Sequence, residues 1–186
     1  MKFKKFGQKG QVLSENKIYK GPIFDLVKQV IKTPDDLTVE RDLIKHGPAV
    51  NILALTPDHR IILNEEYRTG VNREVIALPA GLTDPNESDE EAVRRELREE
   101  TGYQAQEVKM MTYVTSSDGF TNEMVGLALV KFDPSNQGER HFDADEYVTN
   151  HLVPFEEALQ LVKDGKIFSA HSVASILYFN NFERDF

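Results

Sequence analysis

The chain of 186 residues has no cysteine. That removes disulfide scaffolds, zinc–cysteine sites and thiol nucleophiles. Positive charge is also scarce, with 22 Lys and Arg against 31 Asp and Glu and a formal net charge of -9. Binding a phosphate backbone needs a basic surface, so nucleic acid is not an expected partner. Phosphate chemistry on so acidic a chain would need a metal or a local arginine cluster. No apolar run approaches the roughly 20 residues that span a bilayer. The opening "MKFKKFGQKGQVLSENK" carries lysines but no apolar stretch, so it does not read as a secretory signal. A cytoplasmic protein without membrane partners is the expectation.

What is present suits one globular domain with a sizeable core and a small appendage, since hydrophobic residues make up 40% and aromatics 9%. We place the appendage at residues 1–45 and the main domain at 46–186. Residues 18–45 read as two strands around "TPDD". Such a pair has too little apolar surface to stand alone, so it is expected to pack on the main domain or on a second subunit. "AVNILAL" and "RIILNEEY" read as strands joined across "TPDH", and "REVIALPAG" as a third strand stopped by proline and glycine. "EVKMMTYVT" and "EMVGLALVKF" add two more. Pro154 suits the first turn of a helix whose Phe155, Ala158, Leu159 and Val162 recur at helical spacing before Gly165. "SVASILYF" forms the last helix, with His171 packing or capping it. The expected class is α/β, a mixed sheet with helices on its faces. Tyr19 and Phe24 read as core, "HFDADE" as a solvated loop and "KFKK" as a frayed end.

The most informative stretch is "GLTDPNESDEEAVRRELREETGY", residues 81–103. Ser88 followed by Glu91 is a capping box, Asp89 to Glu91 suit the positive end of the helix dipole, and Gly102 provides a stop. At about 100° per residue, Ala92, Val93 and Leu97 form the apolar stripe, while Glu91, Arg94, Arg95 and Arg98 fall on a solvated face. Glu96 and Glu100 nevertheless continue the stripe, with Glu99 beside them. Carboxylates crowded on an inward face repel one another and are costly to bury unpaired. Arginine could neutralise one of them; a divalent cation such as magnesium or manganese could take all three. A helix end that simply emerges into solvent is the plainer alternative.

These residues resemble the Nudix box, G-x5-E-x7-R-E-U-x-E-E-x-G-U, with U a bulky apolar residue. Gly81, Glu87, Arg95, Glu96, Leu97, Glu99, Glu100 and Gly102 match in place, and Tyr103 fills the last position. The resemblance implies a hydrolase of nucleoside diphosphates linked to another group. It implies that Glu96, Glu99 and Glu100 bind Mg2+, or Mn2+, and that Gly81, Glu87, Arg95 and Gly102 shape the motif. The preceding "EEYRTGVNREVIALPAG" resembles the ADP-ribose pyrophosphatase branch, which carries "QYR" and then "ELPAG". On that likeness the carbonyl of Ala80 is a further metal ligand. Arg68 reads as an ion-pair partner for Glu65 or Glu66, or as a phosphate-binding residue, since a guanidinium fork suits phosphate oxygens. "TSSDGFTNE" resembles the branch's "SPGFSDE" loop, which makes Glu123 a candidate general base or ligand and Glu99 its rival. Ala77 replaces the glutamate of "ELPAG", and Asp118 the proline of "SPGF", so the substrate markers depart from the branch while the box is whole. The resemblance implies ADP-ribose cleavage to AMP and ribose 5-phosphate, a small-molecule nucleotide substrate, and a homodimer formed through the N-terminal strands. Another nucleotide sugar, a nucleoside triphosphate, or nucleotide binding without cleavage are the alternatives.

Overall fold

A computed structural model describes residues 3–4, 6–141 and 147–186. Lys2 and Lys5 of "KFKK", and residues 142–146 of "HFDADE", lie outside the described residues. The chain divides into two compact units, one of residues 1–47 with 117–123, the other of residues 48–116 with 124–186.

The N-terminal unit is a three-stranded antiparallel sheet in the order β1-β2-β3 (β1 Gln11–Lys20, β2 Phe24–Lys32, β3 Thr38–His46). Two strands were expected here; the third is β1. All ten of its residues are exposed, so it has no in–out alternation to read. It is a strand because its backbone pairs with β2 from Gln11 opposite Lys32 to Lys20 opposite Asp25. Tyr19 and Phe24, expected in the core, are exposed and face each other with ring centroids 6.2 Å apart. The segment 117–123 joins this unit through β3. Ile44 N donates to Phe120 O at 2.8 Å, and His46 N to Asn122 Oδ1 at 2.9 Å.

The larger unit is built on a seven-stranded mixed sheet. Its strands are β4 (Ala49–Leu55), β5 (Arg60–Arg68), β6 (Arg73–Ala77), β7 (Ala80–Leu82), β8 (Tyr103–Thr115), β9 (Met124–Gln137) and β10 (Val148–Pro154). The order is β10-β5-β4-β9-β8, with β6 on β5 and β7 on β4. Only β4 and β9 run parallel. Alternate residues of a strand face opposite ways, and here each face meets its own helices. Val50, Ile52, Ala54, Ile62, Ala128, Val130 and Phe132 pack with Ala92, Val93 and Leu97 of α1 (Asp89–Thr101). Leu53, Leu55, Ile61, Leu63 and Leu129 pack on the other face with α2 (Phe155–Lys163) and α3 (Ala170–Tyr178). The sheet is therefore sandwiched between helices. Among the described residues no helix is long and apolar enough to cross a membrane.

Three details differ from the expectation. "REVIALPAG" is two strands rather than one. Between them Leu78 N donates to Ser172 Oγ at 2.9 Å, and the Pro79 carbonyl accepts from Ile52 N at 2.8 Å. Pro154 ends β10 and stands immediately before α2 instead of in its first turn. β10 itself was not read from the sequence.

Candidate active site

Helix α1 carries the site, and its ends are set locally. Ser88 Oγ accepts from Glu91 N, and Glu91 Oε2 accepts from Ser88 N at 2.8 Å, which closes the capping box. Gly102 ends the helix at φ +77°, its N–H donating to Arg98 O at 2.8 Å. Ala92, Val93 and Leu97 are fully buried, and Glu100 is 7% exposed. The inward placement expected for Glu100 is what the structure shows.

Arg95 requires a correction. The helical spacing put it on the solvated face, but its side chain is only 23% exposed and reaches back over the preceding loop. Nε and Nη2 donate to Glu87 Oε1 and Oε2 at 2.9 and 2.8 Å, a two-point clamp, and Nη2 also donates to Leu82 O at 2.8 Å. Nη1 donates to Glu96 Oε1 at 2.6 Å and Glu99 Oε2 at 3.2 Å. A long side chain does not stay where its Cβ points. Arg94 is likewise half-buried, donating to Ala105 O at 2.7 Å, whereas Glu91 and Arg98 are exposed. The Arg95 clamp holds the Glu87 carboxyl below the usual glutamate range, against the opposing effect of desolvation and with help from Asp84 N–H. The same carboxylates push the Arg95 guanidinium up, Glu87 first among them.

Gly81 explains where Glu96 goes. It lies in β7 opposite Val50, beside Ala80 opposite Asn51. The Glu96 carboxylate rests directly over it, so that a Cβ at residue 81 would lie 2.0 Å from Cδ and Oε1. Only glycine leaves that space. Glu100 is turned by a different contact, accepting at Oε2 from Asn64 Nδ2 at 2.8 Å.

The three glutamates share one chemistry. All offer oxygen, the donor that hard divalent cations prefer, from adjacent turns of a single helix. Among the described residues no group of three His, Asp or Glu side chains is gathered in a way that could hold an ion. Arg95 Nη1 instead contacts two of the three, supplying there the positive charge these carboxylates demand. As oxygen donors on one helix the three carboxylates suit a hard divalent cation by their chemistry, while in this structure they are drawn to Arg95, Gly81 and Asn64 rather than gathered about one point.

The remaining sequence candidates are placed as follows. Glu123 belongs to the N-terminal unit, where Oε1 lies 3.2 Å from His46 Nδ1. Arg68, 54% exposed at the end of β5, pairs with Glu66 at 2.7 Å. His171 lies in α3, half-buried. Sequence reasoning missed Asn64, which meets Glu100 at the site, and three buried polar residues on the α3 side of the sheet: Asn51, Ser172 and Ser175. Ser175 Oγ donates to Asn51 Oδ1 at 2.7 Å, tying α3 to β4. The signal available was a lone asparagine within each of two otherwise apolar strand runs, "AVNILAL" and "RIILN". Burying a polar side chain requires a partner.

The fold and this helix together define the class. The chain belongs to the Nudix family, whose NUDIX domain matches residues 45–175, and it is a Nudix hydrolase. It is 31% identical over 168 residues to an ADP-ribose pyrophosphatase of Bacillus subtilis (strain 168), covering 90% of this chain and 91% of that one. A methanol dehydrogenase activator of Bacillus methanolicus is 27% identical over the same shares. An ADP-ribose pyrophosphatase of Mycobacterium tuberculosis is 29% identical, covering 90% of this chain and 81% of its own. Among solved structures, an ADP compounds hydrolase superposes with a TM-score of 0.81 at 19% identity, covering 96% of each chain, which shows the shared fold.

Proposed function

We propose that this Nudix hydrolase cleaves the diphosphate bond of a nucleoside diphosphate sugar, ADP-ribose first among them, giving AMP and ribose 5-phosphate. The observation that carries this reading is the arrangement of Glu96, Glu99 and Glu100 on one helix, with Glu96 seated over Gly81 and Glu100 turned by Asn64. Relatives named for ADP-ribose cleavage over nine-tenths of the chain support the substrate class. Glu96, Glu99, Glu100 and the Ala80 carbonyl would hold Mg2+, with Mn2+ a substitute. A bound cation offsets diphosphate charge and lowers the pKa of the attacking water.

The chain's own residues divide the remaining work. Glu99, at 34% the most exposed of the three, is our assignment for the carboxylate that takes the water proton; Glu123 is its rival. Arg95 keeps Glu87 and the Leu82 carbonyl in place, so that the loop stays against the helix. Arg68 exchanges Glu66 for a substrate phosphate, which a guanidinium fork suits. Ala77 and Asp118 stand where the branch carries a glutamate and a proline, so the choice among nucleoside diphosphate sugars is left to the hydrolysis panel. We place the enzyme in the cytoplasm as a homodimer formed through the N-terminal sheet. There Val12, Leu13, Ile18 and Tyr19 are each about half exposed.

The test is a hydrolysis panel of nucleoside diphosphate derivatives with Mg2+, comparing wild type with Glu100→Gln, Glu99→Gln and Glu123→Gln. Turnover of ADP-ribose that Glu100→Gln abolishes is expected. Equal turnover by wild type and Glu100→Gln would overturn the metal assignment, and preference for a triphosphate would remove ADP-ribose. Light scattering on an eluting column checks the dimer.

A further inference from the structure

Asn64 stands out among the buried polar groups because it follows Ile61, Ile62 and Leu63 on β5 and is itself 1% exposed. Any β-branched residue would suit that strand position, and a buried amide is costly unless its hydrogen bonds are made. Its Nδ2 donates to Glu100 Oε2 at 2.8 Å. Its Oδ1 accepts from Asn150 Nδ2, also at 2.8 Å. Asn150 is the cross-strand partner of Asn64 on β10, and its own Oδ1 accepts from Arg140 Nη1 at 3.1 Å.

Every link in this chain runs the same way, from a cation through two amides to a carboxylate. Reversing the Asn64 amide would set its oxygen against the Glu100 oxygen and its NH2 against that of Asn150. Asn150 therefore dictates which end of Asn64 faces Glu100, and hydrogen bonds aligned in series polarise one another. We infer that Asn64, oriented by Asn150, is a positioning residue for Glu100, holding one carboxylate oxygen and so fixing how the carboxylate is turned toward a divalent cation. This rests on the reading of Glu100 as a cation ligand. Outer-shell partners of that kind change metal affinity by about 10–100-fold when removed.

The test uses Mn2+ alone, titrated against the full-length protein and read as free ion by electron paramagnetic resonance. Asn64→Leu is expected to weaken Mn2+ binding by about 10–100-fold, and Asn150→Ala by about 3–10-fold. Added to Glu100→Gln, the Asn64→Leu change should alter affinity by less than about twofold, because its route to the ion is already gone. If both asparagine variants bind as wild type while Glu100→Gln is weakened, the positioning role is overturned and the metal reading stands. Fully additive losses in the double variant overturn it too. Wild-type binding by Glu100→Gln overturns the metal reading and this inference with it. Should near-ultraviolet circular dichroism show Asn64→Leu unfolded, the half-buried Asn150→Ala decides the matter by the same criterion.

Discussion

Replacing Gly81 by alanine should separate activity from stability. The new Cβ would lie 2.0 Å from Glu96 Cδ and Oε1 and 2.3 Å from Oε2. Non-bonded carbons settle about 3.5–4.0 Å apart, so the carboxylate must retreat by about 1.5 Å. It can do so, because the clash is with the free end of a flexible side chain rather than with backbone. Gly81 also lies outside the left-handed region that Gly102 occupies, so alanine meets no φ strain there. Reduced freedom of the unfolded chain favours the variant by about 0.4–1 kcal/mol, against the loss of one Glu96–Arg95 hydrogen bond worth about 1 kcal/mol. The net change in stability is within about 1 kcal/mol. On the proposed role of Glu96 as a cation ligand, moving it by more than 1 Å costs about 10²-fold in rate, or about 2.7 kcal/mol of transition-state stabilisation. The assay is kcat/KM for ADP-ribose across a Mg2+ titration, paired with urea unfolding. Activity within about threefold of wild type would refute the reasoning. So would a stability loss above about 3 kcal/mol, the mark of a backbone clash.

Three further outcomes follow from the same contacts. Arg95→Ala leaves Glu87, Glu96 and Glu99 facing one another without their shared cation, and should cost about 2–3 kcal/mol in urea unfolding. Arg95→Lys should recover little of it, since an ammonium cannot make the two-point clamp. Gly102→Ala combines a φ of +77° with a Cβ 2.4 Å from the Gly138 carbonyl, and should destabilise by about 2 kcal/mol or more, in opposition to Gly81→Ala. The pH dependence has a definite sign. The folded Glu87 carboxyl lies below its ordinary value of 4.5, so its contribution is complete above that value and is lost as pH falls through the depressed folded one. The stability difference between wild type and Glu87→Gln should therefore be constant from neutral pH down to about 5 and shrink below that.

Helix α1 was legible from Ser88 to Gly102, because caps and apolar stripe are fixed by neighbours within a turn or two. Strands β4, β5 and β9 were legible for the same reason, as apolar runs bounded by turns. β1 was not, since no residue in it is buried and only pairing with β2 makes it a strand. Arg95 was misplaced because a helical position locates a Cβ, while its guanidinium follows Glu87 eight residues earlier.

The sequence alone determined that carboxylates would point along the buried stripe of one capped helix, and that a box of fixed spacing surrounds them. Those are short-range facts, set by 3.6 residues per turn. The tertiary structure decided what each carboxylate meets. Glu96 lies over Gly81 because β7 pairs with β4, and Glu100 meets Asn64 because β5 lies next to β4 in the sheet that α1 covers. Asn64 in turn meets Asn150 through the β5–β10 register, 86 residues away. Such partners depend on strand register, where a slip of one residue turns every side chain to the other face.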